Sequence, residues 1–373
     1  MLAFLTRTTV FALSVLFCLS NIYLASGASC GCSSLVIPVH VDVLIPKDPA
    51  DPFGGLKSNA SSLRRLDVTY DVFGVFCQPD NVSPKSTDVI QLLAHGFTYT
   101  NQYWSLPTEE FRNYSYTGFA CDRGLSTLAI DWVGVGLSSR PVNASDVQYA
   151  TNAAVVSQLA RHLKATSILP VVEPFKKVIG ITLIGIGHSA GSVLLNFGAI
   201  AEGPQSPFDG LILTGELIIE PGALNPFPTV SAREDTPLRW GGLDPDYVTT
   251  SNRSVFYPPD PASFSPRMLI FDNFTKDVGS VSTFLQAGLN SLTTHYTGHV
   301  AKVVGSEDQL FCVGTGRCND VTALTAAERV LWPEARSFEV VVAQRSGHDL
   351  NLDFFANGPF NTFVDFVEHF TGL

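Results

Sequence analysis

Short runs of Val, Ile and Leu recur along the chain, at 35–45, 68–77, 89–94, 127–130, 178–186, 211–214, 300–304 and 338–342. The first two alternate apolar with polar residues, as in VHVDVLI and DVTYDVFGVF, and predict an antiparallel hairpin at one sheet edge. The later runs are short and nearly continuous, the pattern of parallel strands covered on both faces. Between them, DVQYATNAAVVSQLARHLKA at 146–165 repeats apolar residues every three or four positions behind a Ser-Asp cap, which predicts a helix. Further helices are predicted at 192–201, 325–331 and 359–370. This alternation specifies the α/β class, a mostly parallel, doubly wound sheet.

One segment breaks the rhythm. From 217 to about 263 the chain turns rich in Pro, Asp and Gly (PGALNPFPTV, GGLDPDY, YPPDPASF), and a more apolar, helix-permitting stretch continues to 292. It begins just after a strand end, where open α/β sheets carry their binding loops. We read 217–292 as a cap inserted between two late strands, with 29–216 and 293–373 forming the core. The cap holds Phe227, Trp240, Tyr247, Phe256, Tyr257, Phe264, Phe271 and Phe274. These rings either line a pocket for an apolar or aromatic substrate or pack the cap onto the core.

Composition adds a compartment. The 373 residues are 45% hydrophobic and 15% charged, with a net charge of −11, which suits a large core and speaks against nucleic acid as a partner. Arg7 precedes the apolar stretch VFALSVLFCL at 10–19, and small residues follow at 25–28, the layout of a signal peptide over 1–28. A stretch of about ten residues is too short to span a bilayer, which needs roughly 20, so the mature chain is expected to be secreted without a transmembrane segment. Removing Cys18 leaves Cys30, Cys32, Cys77, Cys121, Cys312 and Cys318, an even set that reads as disulfides. Cys312 is expected to close a local loop with Cys318, and Cys77 to meet Cys121. Cys30 and Cys32 are too close-set to bond each other, so each reaches elsewhere. No Cys-x-x-Cys or histidine cluster suggests a metal. Asn59, Asn81, Asn113, Asn143, Asn252 and Asn273 each begin an Asn-x-Ser/Thr glycosylation sequon.

The candidate chemistry sits in ITLIGIGHSAGSVLLNFGAI, 181–200, where an apolar strand runs into GHSAG and then a helix. A side chain at the tip of so sharp a turn needs strained backbone angles, and glycine two residues before and after removes the Cβ atoms that would collide. Ser189 stands at that tip. A serine hydroxyl is a weak nucleophile until a base activates it and a third group orients the base. Two later strand ends offer these groups: Asp308, beside Glu307, follows VVGS, and His348 lies in Ser-Gly-His-Asp after FEVVVAQ. Glu216, ending LILTGE, is the alternative acid. His188 reads as a packing residue, and Asp131 and Asp349 as structural.

With these residues the chain resembles the α/β-hydrolase superfamily of serine esterases and lipases, its secreted fungal members in particular. LLAHGF is similar to the family's oxyanion loop, and DWVGVGLS to its Gly-rich loop after the next strand; GHSAG and GHD complete the order. The resemblance covers about 35 to the C-terminus. It implies Ser189 as nucleophile, Asp308 as acid, His348 as base, and the backbone N–H groups of Phe97 and Ala190 as oxyanion hole. His95 and Gly96 would support that loop. It implies no cofactor, and a small-molecule ester as substrate. Two other outcomes share these residues: an acyltransferase or natural-product biosynthetic enzyme with the same triad, and a non-catalytic binding protein on the same fold.

Overall fold

The structure is a computed structural model and describes residues 30–50, 60–79, 88–106, 108–165, 181–219 and 227–373. Eight strands form one sheet in the order β1-β2-β4-β3-β5-β6-β10-β11. These are β1 (Cys30–Pro46), β2 (Leu63–Pro79), β3 (Val89–Ala94), β4 (Ser126–Ile130), β5 (Thr182–His188), β6 (Gly210–Thr214), β10 (His299–Gly305) and β11 (Ser337–Ala343). β1 pairs antiparallel with β2 and β2 with β4; the remaining neighbours are parallel. Alternation in β1 buries Val39 and Val41 and leaves His40 and Asp42 in solvent, as expected of an edge.

The central strands are buried on both faces. Ile90, Leu92, Leu211 and Leu213 meet α2 (Tyr149–Lys164) and α3 (Ala190–Glu202) on one side. Val89, Leu93, Ile184 and Ile212 meet α1 (Tyr116–Asp122) and α9 (Asn357–Thr371) on the other. α8 (Val321–Arg329) covers β11, starting earlier than the sequence pattern predicts because Asp320 caps it through the Ala323 N–H.

Between β6 and β10 the chain builds α4 (Ala232–Asp235), α5 (Pro237–Trp240), α6 (Pro266–Thr275), α7 (Val281–Leu285) and a separate antiparallel sheet, β7 (Thr229–Ser231), β8 (Tyr247–Thr250) and β9 (Gly279–Ser280). Of the eight aromatic residues named above, Trp240, Tyr247, Phe256 and Tyr257 are fully buried, and Phe274 is 83% exposed.

The disulfides correct one expectation. Cys77 bonds Cys32, its direct partner in the β1–β2 register, and Cys121 of α1 bonds Cys30. The expected Cys77–Cys121 bond would have left Cys30 and Cys32 only each other. Cys312 bonds Cys318 as expected. The stretch 1–28, Asn59 and Asn81 lie outside the described residues, while Asn113, Asn143, Asn252 and Asn273 are exposed. Among the described residues no helix is long and apolar enough to cross a membrane.

Candidate active site

The turn at the end of β5 is held by what its glycines leave out. Ser189 has φ 52° and ψ −118°, a conformation that ordinary side chains avoid. A Cβ at Gly187 would stand 2.6 Å from the Gly191 backbone, and one at Gly191 would stand 2.3 Å from the Ala94 carbonyl oxygen. The strand therefore reverses into α3 with no room between them, leaving the Ser189 side chain half-buried at the carboxyl edge of the sheet.

Two later strands deliver the partners. Asp308, after β10, is wholly buried, and its Oδ1 accepts the N–H groups of Leu310 (2.8 Å) and Phe311 (3.1 Å). Its Oδ2 accepts from His348 Nδ1 at 2.8 Å, and His348 Nε2 lies 2.9 Å from Ser189 Oγ. An ionised carboxylate only accepts, so the His348 proton sits on Nδ1 and Nε2 is free to accept from the hydroxyl. Burial opposes protonation of His348, but the charge and hydrogen bond of Asp308 outweigh it, and the imidazole pKa stands above its ordinary value.

The structure brings Asp308 to His348 and not Glu216. The Glu216 carboxylate accepts from Asn290 Nδ2 and pairs with Lys302 Nζ at 2.7 Å, and Lys302 also pairs with Glu328 at 2.7 Å. Glu307 lies half-buried beside Asp308.

The loop after β3 passes directly over the turn: a Cβ at Gly96 would lie 3.3 Å from Ser189 Cβ. His95 is fully buried, stacks on Trp132, and bonds on both ring nitrogens. Nδ1 donates to the Gly96 carbonyl at 2.8 Å, and Nε2 accepts the Trp132 N–H at 3.3 Å. A carbonyl can only accept and an N–H can only donate, so the ring is neutral with its proton on Nδ1. Burial agrees, lowering its pKa to about 4. Ala190 is the first residue of α3, so its N–H has no acceptor one turn back. Among the described residues no acceptor is recorded for the Phe97 N–H.

Beside Ser189 lies a cavity of about 40 Å³, walled by Phe97, Val193, Phe227, Phe284, Leu310 and Phe311, with Tyr149 and Glu216 also in its lining. Of the eight aromatic residues singled out in the insertion, Phe227 alone lines it. Phe284, on the five-residue α7, and Phe311, in a turn, escaped sequence reasoning because segments so short carry no periodic signal.

Behind His348 is a buried polar group that the sequence also hid. His188 stacks on Tyr103 with ring centres 4.2 Å apart, and its Nε2 lies 3.1 Å from Asp349 Oδ1. Burial holds His188 far below its ordinary pKa, so it is neutral. Tyr99 donates to Asp349, whose own pKa burial lifts to about 6. Asp131 is structural: Oδ1 accepts the Asn101 backbone (2.7 Å) and side-chain (2.8 Å) N–H groups, and Oδ2 accepts the Leu137 N–H (2.9 Å).

The fold has solved relatives. An esterase from Exiguobacterium antarcticum superposes with a TM-score of 0.51 at 16% identity, over 80% of this chain and 96% of that one. A soluble variant of monoglyceride lipase from Saccharomyces cerevisiae gives 0.51 at 16% identity, over 81% and 92%. Epoxide hydrolase A from Mycobacterium thermoresistibile gives 0.50 at 14% identity, over 80% and 95%. At such identities the likeness is one of fold alone. No curated protein sequence matches the chain significantly. A family model described as the alpha/beta hydrolase family matches residues 91–356, well over half of the sequence. The chain belongs to the alpha/beta hydrolase family.

Proposed function

We propose that this protein is a secreted serine hydrolase of carboxylic esters that works through an acyl-enzyme on Ser189. Ser189 Oγ attacks the ester carbonyl while His348 Nε2 takes its proton and Asp308 stabilises the imidazolium. The N–H groups of Phe97 and Ala190 receive the oxyanion. His348 then protonates the departing alcohol, and water, activated by the same imidazole, releases the acid.

The single observation that supports this reading is the unbroken line Ser189–His348–Asp308, at 2.9 and 2.8 Å. It also weighs against epoxide opening, the activity in the name of one structural relative. A serine oxygen that opened an epoxide would leave an alkyl ether, which has no carbonyl for water to attack, and turnover would stop. An ester instead gives an acyl-enzyme that hydrolyses.

Cavity size narrows the acyl group. A water molecule needs about 10–15 Å³ of such space, so a cavity of about 40 Å³ holds roughly three waters or a short apolar chain of about three or four non-hydrogen atoms. Secretion is supported by three disulfides and by the exposure of Asn113, Asn143, Asn252 and Asn273.

The test is a fluorophosphonate probe together with hydrolysis of p-nitrophenyl acetate. Wild type should be labelled and active, and Ser189→Ala should be neither. Equal labelling of the two proteins, or no turnover by wild type, would refute the reading. Product partitioning with an added alcohol separates hydrolysis from acyl transfer.

A further inference from the structure

The strangest residue near the site is Arg253, which is 2% exposed although it carries a permanent charge. Its partners explain its burial. Nη2 and Nε bond the Asp272 carboxylate at 2.6 and 3.2 Å, and the guanidinium lies 3.8 Å over the Tyr99 ring. Nη1 donates to Thr250 Oγ1 at 2.9 Å and to Thr98 Oγ1 at 2.8 Å. Arg253, Thr250 and Asp272 belong to the insertion between β6 and β10; Thr98 belongs to the loop after β3.

Thr98 needs holding. Its φ is 62°, the left-handed region, which is unfavourable for a β-branched residue. Its hydroxyl has a single proton. Because Arg253 donates into that oxygen, the proton is free to point outward, and it donates to the Phe97 carbonyl at 2.6 Å. The Thr98 carbonyl is held in turn by the Asp277 N–H at 2.8 Å. On the other side of Phe97, the Gly96 carbonyl accepts from His95 Nδ1 and from the Tyr99 N–H at 3.2 Å. In a trans peptide the carbonyl and the N–H point in opposite directions. The Phe97 N–H shares its peptide with the Gly96 carbonyl, and the bond from the Tyr99 N–H to that carbonyl closes a turn whose third residue, Thr98, must keep its left-handed φ, so holding Thr98 fixes the direction of the Phe97 N–H.

We propose that Arg253 is a positioning residue for this loop: by donating to the Thr98 hydroxyl it holds the left-handed turn and thereby aims the Phe97 N–H at the oxyanion. The proposal rests on the ester-hydrolase reading for its catalytic consequence, and on geometry alone for its structural one. A guanidinium suits the task because its planar fork can bind a carboxylate and a hydroxyl together. An apolar residue of similar length would fill the space but leave the Thr98 hydroxyl with Thr250 Oγ1 (3.1 Å) in place of a charged donor, and leave the Asp272 carboxylate with only the Tyr257 and Tyr99 hydroxyls.

Three variants test it: Thr98→Val, Arg253→Lys, and the charge-balanced pair Arg253→Met with Asp272→Asn. Fluorophosphonate labelling rate at Ser189, kcat and KM for p-nitrophenyl acetate, the urea midpoint and amide hydrogen exchange over 96–99 are read for each. Thr98→Val and the double variant should each lose about 10- to 100-fold in labelling rate and kcat with KM within about twofold, somewhat less than deleting an oxyanion donor outright. Exchange over 96–99 should rise in both. Combining them should add no further loss, because both break one linkage. Arg253→Lys should recover part of the loss. Unchanged exchange and rate in folded variants, or losses that multiply on combination, would overturn the proposal. If the double variant does not fold, Thr98→Val, which leaves the Arg253–Asp272 pair intact, carries the test. Wild type without label or turnover would refute the ester reading instead, and the exchange comparison would still decide the role of Arg253.

Discussion

Two glycines on α3, seven residues apart, should respond oppositely to the same added methyl group. At Gly191 a Cβ would stand 2.3 Å from the Ala94 carbonyl oxygen and 2.5 Å from that of His95. Comfortable contact for a carbon is about 3.5 Å, so the shortfall is about 1 Å, and both obstacles are backbone. No rotamer change relieves it. The start of α3 must move away from the end of β3, carrying Ser189 away from His348 and from the loop at Phe97. Overpacking of this kind costs about 1–3 kcal/mol, and a 1 Å misplacement of a reacting group costs about 10²-fold in rate. At Gly198 the added Cβ would meet only Ser157 Oγ at 3.8 Å and Ala153 Cβ at 4.0 Å, ordinary contacts. There Ala should stabilise by about 0.5–1 kcal/mol through helix propensity alone. Urea unfolding and kcat on p-nitrophenyl acetate measure both. A Gly191→Ala enzyme as stable and active as wild type would show that the strand-to-helix contact is not what shapes the turn, and a destabilised Gly198→Ala would refute the packing argument.

The remaining expectations concern chemistry and substrate. Only neutral His348 can accept the serine proton, and its pKa is raised above 6.5, so kcat/KM should fall on the acid side with a midpoint above that value. Asp308→Asn removes the charge that raises it, so kcat should drop by about 10⁴ and the residual activity should titrate at lower pH; an unmoved acid limb would refute the pairing. Across p-nitrophenyl esters, kcat/KM should peak at acetate to butyrate, and Phe284→Ala should move the peak to longer chains. A wild-type optimum at octanoate or beyond would refute the size argument.

Much of the fold was legible because its signals are local. All eight strands of the large sheet fall on the apolar runs, and β1 and β2 differ from the rest because one face of an edge hairpin meets water. α1 gave no signal: its seven residues YTGFACD include a glycine and span too few turns for a period to emerge, and Ser115 starts it through a side-chain bond to the Gly118 N–H. The small sheet β7-β8-β9 has strands of two to four residues, too short for alternation to register. At the site, GHSAG and the strand-end positions of Asp308 and His348 were readable because the geometry of a turn or strand end demands them. Arg253 and Phe284 were not, since their meaning comes from contacts such as Arg253–Thr98, 155 residues apart.

Those distant contacts also bear on whether the insertion swings open. If residues 247–280 moved off the core as a unit, at least five hydrogen bonds would break: Arg253 to Thr98 (2.8 Å), Asp277 N–H to Thr98 (2.8 Å), Tyr247 OH to Pro141 (2.8 Å), the Asp349 N–H to Phe256 (2.8 Å) and the Phe354 N–H to Ser263 (3.0 Å). At about 1 kcal/mol each these oppose opening by about 5 kcal/mol, before the exposure of Phe256 and Tyr257 and the loss of the Arg140–Asp277 pair (3.0 Å) are counted. Each 1.4 kcal/mol is tenfold, so the open form would be populated below about one part in 10³. A water–lipid interface would have to repay all of that, and among the described residues of the insertion the exposed apolar side chains are Leu238 on α5, Ile270 and Phe274 one turn apart on α6, and Leu285 on α7. The segment behaves as a fixed brace for the loop at Thr98, not as a lid that swings. Rates on a short-chain triacylglycerol should therefore rise smoothly through its solubility limit. A jump of tenfold or more on emulsion formation would mean that the segment moves and that these five bonds are weaker together than their number implies.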